Sequence, residues 1–215
     1  MTVAILTPLV DALDLIGVAI FALSGALLAA KEQQTFVTMA FFALITGVGG
    51  GTVRDLLIGA PVFWMTDPWV APVCLGIAAL AWFLPTRRYE GQLLDYADGL
   101  GLAAYSVLGS VKALSYGIAP VPALLMGVIT GCVGGIIRDV IAGRPSILMR
   151  PELYVTAAAL TAAIVVLGSI AGLPRLPVWS AAAVAGFGLR AAAIRYGFAL
   201  PAYRDRSRAD NGQMR

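Results

Sequence analysis

The sequence predicts an all-α membrane protein with seven transmembrane helices, built as an inverted repeat of three-helix units plus a seventh helix. Three observations carry that prediction. Of 215 residues, 60% are hydrophobic and 13% charged, with a mean hydropathy of +0.86, whereas a soluble domain is nearer half apolar and about a quarter charged. Apolar runs of about 20 residues, long enough to cross a hydrocarbon core, follow one another through short polar connections. Finally, a glycine cluster followed by an Arg-Asp pair occurs twice, 84 residues apart: Gly49-Gly50-Gly51-Thr52-Val53-Arg54-Asp55 and Val133-Gly134-Gly135-Ile136-Ile137-Arg138-Asp139.

The first span covers about Val10 to Ala30 and stops at Lys31-Glu32, and the second, Phe36 to Gly59, contains the first motif. Trp69 to Leu84 makes the third. After the polar stretch Pro85 to Gln92 the fourth runs from about Leu94 to Leu114, and the fifth, Val121 to Ala142, carries the second motif. Leu153 to Ala171 is the sixth; Pro174 and Pro177 then bracket a turn before the seventh, Val178 to Phe198. Arg204 to Arg215 forms a charged tail of disordered composition. The first apolar run is long enough to span and no basic cluster precedes it, so no removable signal peptide is expected. The chain reads as a single transmembrane domain over 1–215: repeat one at 10–84, repeat two at 94–171, the seventh helix at 178–198 and a tail at 199–215.

Lys and Arg segregate between alternate connections. Lys31, Arg87, Arg88, Arg144, Arg150, Arg204, Arg206, Arg208 and Arg215 fall on one side, and only Arg175 on the other. The excess of basic residues marks the cytoplasmic face, which predicts an N-terminus outside, a cytoplasmic C-terminus and residence in the inner (cytoplasmic) membrane. The net charge of +3 and pI near 9.1 then describe a basic rim facing anionic lipid headgroups. No aromatic-interleaved basic surface points to nucleic acid.

The repeat extends well beyond the motif. At an offset of 84, without a gap, Asp11 aligns with Asp95, Asp14 with Asp98, Gly17 with Gly101, Gly25 with Gly109, Thr46 with Thr130, Gly50 with Gly134, Arg54 with Arg138, Asp55 with Asp139, and Gly59 with Gly143. Each unit holds three spans, and an odd number forces the second copy to enter the membrane upside down. The result is an inverted repeat with a pseudo-twofold axis in the membrane plane, an architecture characteristic of transport proteins.

Consecutive glycines cost roughly 1 kcal/mol each in helix stability relative to Ala, so the second and fifth spans are expected to be kinked or broken at Gly49, Gly50, Gly51 and at Gly134, Gly135. The same glycines at small-xxx-small spacing also let helices approach closely, but the adjacent charges favour a broken helix lining a cavity. Neighbouring residues point about 100° apart on a helix, so Arg54 and Asp55 each need another partner. The pseudo-twofold suggests Arg54 with Asp139 and Arg138 with Asp55. Asp11 with Asp14, and Asp95 with Asp98, would place a pair of carboxylates at each mouth of a central pathway, or cap helix N-termini. Lys112 has Leu28 as its counterpart and either snorkels outward or lines the pathway as a gate charge.

Enzymatic chemistry finds little support. The chain has no histidine, and its two cysteines, Cys74 and Cys132, lie in different spans with no metal-ligand spacing. Gly47-Val48-Gly49-Gly50-Gly51-Thr52 lacks the lysine of a phosphate-binding loop and has Thr52 where a dinucleotide fingerprint needs glycine. No cofactor is indicated.

The doubled motif on seven spans resembles the prokaryotic trimeric intracellular cation (TRIC) channels, over about residues 10 to 198. The resemblance implies a homotrimer whose protomers each contain a hydrophilic pore, formed by the first, second, fourth and fifth spans and conducting monovalent cations, K+ and Na+, with K+ prominent. Carried over by motif, Gly49, Gly50, Gly51, Arg54 and Asp55, with Gly134, Gly135, Arg138, Asp139 and Lys112, would form pore and gate, and Asp14 and Asp98 the pore mouths. Animal relatives carry a Lys-Glu-Val motif and a phosphoinositide; here Lys112 is followed by Ala113 and Leu114. Similar bacterial sequences have also been labelled glycine transporters. Three readings therefore stand: a passive cation channel, a secondary transporter of a small amino acid such as glycine, and a purely structural membrane protein.

Overall fold

The computed structural model describes residues 3–84 and 92–201, with side chains from residue 12 onward. Asp11, the connection bearing Arg87 and Arg88, and the tail with Arg204, Arg206, Arg208 and Arg215 lie outside the described side chains. Among the described residues seven long helices form: α1 (Val3–Lys31), α2 (Phe36–Leu57), α4 (Val70–Phe83), α5 (Leu93–Ser115), α6 (Pro120–Ile141), α7 (Val155–Ile170) and α8 (Arg175–Tyr196). A single helical turn, α3 (Phe63–Thr66), separates α2 from α4 and was not expected from the sequence. No strand occurs among the described residues beyond one isolated bridge, Glu152 to Ala199.

Local chemistry places the helix ends. Thr35 caps α2, its hydroxyl accepting the Thr38 N–H at 3.3 Å. Gly59 and Gly143 follow α2 and α6 in the left-handed conformation, at φ 71° and 66°. These two positions, 84 apart, let the chain turn back so that Ala60 N–H reaches Asp55 O at 2.8 Å and Arg144 N–H reaches Asp139 O at 3.0 Å.

By length and hydropathy, α2, α6, α8 and residues 12–31 of α1 suffice to cross a membrane. The other three depart from that criterion for visible reasons: α5 carries Asp95, Asp98 and Lys112, and α4 and α7 have only 14 and 16 residues. The outer surface is apolar, with Val37, Phe83, Val121 and Val184 more than 70% exposed. The largest fully buried side chains, by contrast, are arginines: Arg54, Arg138 and Arg190. Such an inside-out distribution suits hydrocarbon as the solvent.

The core is a square of four helices in which α1 packs on α2, α2 on α6, α6 on α5 and α5 on α1. α4 covers α1 and α2, α7 covers α5 and α6, and α8 lies outside against α5 and α7. Packing repeats at the 84-residue offset. A Cβ at Gly25 would strike the Phe42 carbonyl and Thr46 Oγ1, and one at Gly109 would strike the Met126 carbonyl and Thr130 Oγ1. Between the repeats the contacts are exchanged: Gly17 faces the Tyr105 ring and Gly101 the Phe21 ring, while Gly50 faces the Thr130 carbonyl and Gly134 the Thr46 carbonyl.

These contacts overturn the expected break. Residues 36–57 and 120–141 are continuous α-helix through Gly49, Gly50 and Gly51 and through Gly134 and Gly135. Gly50 and Gly134 act by leaving out Cβ atoms, so that α2 and α6 meet backbone to backbone, as small residues do between helices in a bilayer, while Gly51 and Gly135 make room for the Phe63 ring and the Tyr154 hydroxyl. The helix-propensity cost is offset by packing that no larger residue could make.

Candidate functional site: two buried charge clusters

Both Arg-Asp pairs fall in the last turn of their helices. Arg54, fully buried, donates from Nε to Asp55 Oδ1 at 2.8 Å and from its two Nη atoms to the Asp14 carboxylate of α1 at 2.9 and 3.4 Å. Asp55 Oδ2 accepts the Phe63 backbone N–H at 3.0 Å, and Lys112 Nζ of α5 stands 2.9 Å from Asp55 Oδ1. The second cluster repeats the plan. Arg138 donates from Nε and Nη2 to Asp139 Oδ1 at 2.9 and 2.7 Å, and from Nη1 to Asp98 Oδ1 of α5 at 2.6 Å. Asp139 Oδ2 accepts the Ile147 N–H at 2.9 Å, and Ile147 is 84 residues beyond Phe63.

The arginines thus pair within their own repeats, correcting the expected Arg54–Asp139 and Arg138–Asp55 pairs. Geometry forbids the exchange. Because Gly50 meets Thr130 and Gly134 meets Thr46, α2 and α6 run antiparallel and Arg138 lies level with Phe42. Twelve residues of helix then separate it from Arg54, roughly 18 Å along the axis, beyond the reach of any side chain. Sequence neighbours can bond after all because a guanidinium carries five donors and serves two carboxylates at once.

Asp14 and Asp98, expected at pore mouths, are 4% and 0% exposed. They are counter-ions of buried guanidinium groups, which are costly in an apolar interior without them. Lys112 does not snorkel; it crosses from α5 to Asp55, with its side chain 14% exposed.

Each end carries one polar group that the repeat does not copy. Lys112 replaces the apolar Leu28, and Ser24, whose counterpart is Leu108, takes a short hydrogen bond from Arg138 Nη1 and lies 3.4 Å from Asp98 Oδ1. In formal charge the Asp14 end balances, with two cations against two carboxylates. At the Asp98 end Arg138 faces two carboxylates alone, and Asp98 Oδ2 has no hydrogen-bond partner among the described residues. Beside this cluster lie Tyr154 and Arg190 of α8, the latter fully buried, with its guanidinium carbon 5.4 Å from the centre of the Tyr154 ring and Nη2 2.6 Å from Glu152 Oε2. Sequence reasoning passed over all three, since they sit outside the duplicated pattern. An arginine well inside the apolar α8, in addition to Arg175 and Arg195 at its ends, was the available signal.

A cavity of about 1120 Å3 opens at the Asp14 end, where α5 and α7 finish and α8 begins. Asp14, Lys112, Asp67, Arg175 and Trp179 are among the residues that line it. Among the described residues no group of His, Cys, Asp and Glu could hold a metal ion.

An all-helical, multi-pass membrane protein whose packing repeats at a fixed offset, with compensated charges buried in its core, belongs to the structural class of channels and secondary transporters. Comparison with known proteins narrows this. A family model described as "Glycine transporter" matches the chain at residues 11–86 and 95–169. A Vibrio cholerae protein, "UPF0126 membrane protein", is 41% identical over 155 residues, covering 70% of this chain and 64% of that one, so the chain spans under two thirds of that relative's length. The Escherichia coli K12 "UPF0126 inner membrane protein YadS" is 40% identical over 148 residues, 67% of this chain and 72% of that one. Among solved structures, the TRIC trimeric intracellular cation channel orthologue from Rhodobacter sphaeroides superposes with a TM-score of 0.83 at 39% identity, over 88% of this chain and 99% of that chain. The chain belongs to this family, the TRIC family, to which the "Glycine transporter" model corresponds.

Proposed function

We propose that the protein is a monovalent cation channel, permeable to K+ and Na+, with one pathway per protomer of a homotrimer. The observation that carries the reading is the pair of buried charge clusters at opposite ends of one four-helix core. With α2 and α6 crossing at the bilayer centre, Arg54 and Arg138 lie roughly 9 Å to either side of it, inside a hydrocarbon layer about 30 Å thick. Full charges at that depth mark a permeation route by default.

Compensation removes the difficulty of arginines in a cation pathway, because each guanidinium is neutralised by carboxylates on α1 or α5. The cavity at the Asp14 end serves as a vestibule, and the surplus carboxylate at the Asp98 end favours cations over anions. Gating acts where Asp55 and Asp139 bind the segments after α2 and α6: Lys112 and Ser24 bridge the repeats at these points and must let go for the halves to part. The spans number seven, grouped as repeat one (10–84), repeat two (94–171) and the seventh helix, in the cytoplasmic membrane with the C-terminus inside. The similar protein of known structure from Rhodobacter sphaeroides is described as a trimeric intracellular cation channel orthologue, which supports both the transported species and the assembly.

The family model's own description favours a second reading, uptake of glycine. Carboxylate sites of such transporters use the free N-termini of broken helices, whereas α2 and α6 run unbroken. Proteoliposomes separate the two: voltage-driven K+ flux needing no organic solute supports the channel, and saturable, gradient-driven glycine uptake without conductance overturns it.

A further inference from the structure

We propose that Phe21 and Tyr105 form a central gate of the pathway, midway between the latches at Asp55 and Asp139, a two-ring plug held shut by the Tyr105 hydroxyl; this rests on the channel reading above. The two residues are exchanged by the repeat, Tyr105 standing 84 positions after Phe21. They meet edge to face on the line between α1 and α5, with ring centroids 5.3 Å apart and planes at 63°. Each is about 1% exposed, and each lies over a glycine of the other repeat, Tyr105 over Gly17 and Phe21 over Gly101.

Across the square core the rings face the glycine runs. The Phe21 ring comes within 3.9 Å of where a Gly134 Cβ would be, and Tyr105 Oη donates to the Gly47 carbonyl at 3.0 Å. Gly47 is about 10 Å along α2 from Arg54 and about 8 Å from the level of Arg138, so the plug occupies the middle of the route between the charge clusters. An apolar constriction at that depth stops ions by excluding water. Gly17 and Gly101 give the rings their space when shut, and the faces of α2 and α6 around Gly47 and Gly134 become the pathway's wall when the rings leave.

Only one ring carries a hydroxyl, and this predicts opposite effects for two conservative changes. Tyr105→Phe removes the tie to Gly47 and keeps the ring. Phe21→Tyr offers, through the repeat, a second tie to the Gly131 carbonyl. A net hydrogen bond of about 1 kcal/mol corresponds to a roughly fivefold change in open probability in each direction. Single-channel recording in planar bilayers, with the double substitution Phe21→Ala/Tyr105→Ala alongside, is the test. The plug predicts that Tyr105→Phe opens more often, Phe21→Tyr less often, and that the double variant leaks. If the wild type conducts and all three variants gate as it does, the plug is wrong and the channel stands. Conduction by the double variant alone supports the plug as a lock on the resting protein. If neither wild type nor double variant conducts, both readings fall.

Discussion

Gly50→Ala isolates what the glycine runs contribute. The added methyl would meet the Thr130 carbonyl closer than any real Cβ contact, and that oxygen belongs to helix backbone that cannot swing aside. α2 and α6 must move apart by about an ångström, and overpacking of this kind costs about 1–3 kcal/mol. Glycine to alanine in a helix interior returns about 1 kcal/mol, leaving a net loss of about 0–2 kcal/mol. For a chain of this size that lowers the midpoint of thermal unfolding by up to roughly 8 °C. Gly76→Ala is the control: nothing lies within 4 Å of its Cβ position, so it keeps the helix gain and raises the midpoint by roughly 2–4 °C. Gly134→Ala, with its Cβ 2.8 Å from the Thr46 carbonyl, falls between them. Melting of the purified protein in detergent, followed by fluorescence, measures all three. A Gly50→Ala protein as stable as Gly76→Ala would refute backbone-to-backbone packing as the role of these glycines.

Other expectations concern the charges. Arg54→Met leaves Asp14 and Asp55 without their shared cation and destabilises by about 3–5 kcal/mol; the swap Arg54→Asp with Asp139→Arg rescues none of this in the same melting assay. Asp55→Asn weakens the hold on Arg54 and Lys112 and raises channel open probability, whereas Lys112→Met does so with a smaller loss of stability, as recordings paired with melting curves will report. Asp98→Asn removes the surplus carboxylate and lowers cation over anion selectivity, read from the reversal potential in a salt gradient. Arg190→Leu frees Glu152 and Tyr154 and loosens α8, which limited proteolysis of the C-terminal segment detects.

Much of the molecule was legible from its residues. Apolar runs gave every long helix to within three positions, except that α1 begins at Val3 and not near Val10, since bilayer thickness leaves little choice of element or length. The 84-residue offset exposed the repeat because Asp14, Gly50, Arg54 and Asp55 all recur. What the sequence hid was which partner each charge takes. That choice depends on axial register, and register was fixed by Gly50 meeting Thr130, a contact with no signature in spacing. The glycines misled for a related reason: their cost to an isolated helix is a local quantity, and the packing that offsets it comes from a helix 84 residues away. Arg190 and Ser24 fell outside the repeated pattern, so a comparison of the copies could not raise them.

The central claim, that cations pass between the two repeats of each protomer, is tested most directly by the reversal potential of single channels from the purified protein under a KCl gradient. The account predicts discrete currents reversing close to the K+ equilibrium potential in the absence of any organic solute. Reversal near the chloride potential, or electrically silent membranes that accumulate glycine, would contradict it.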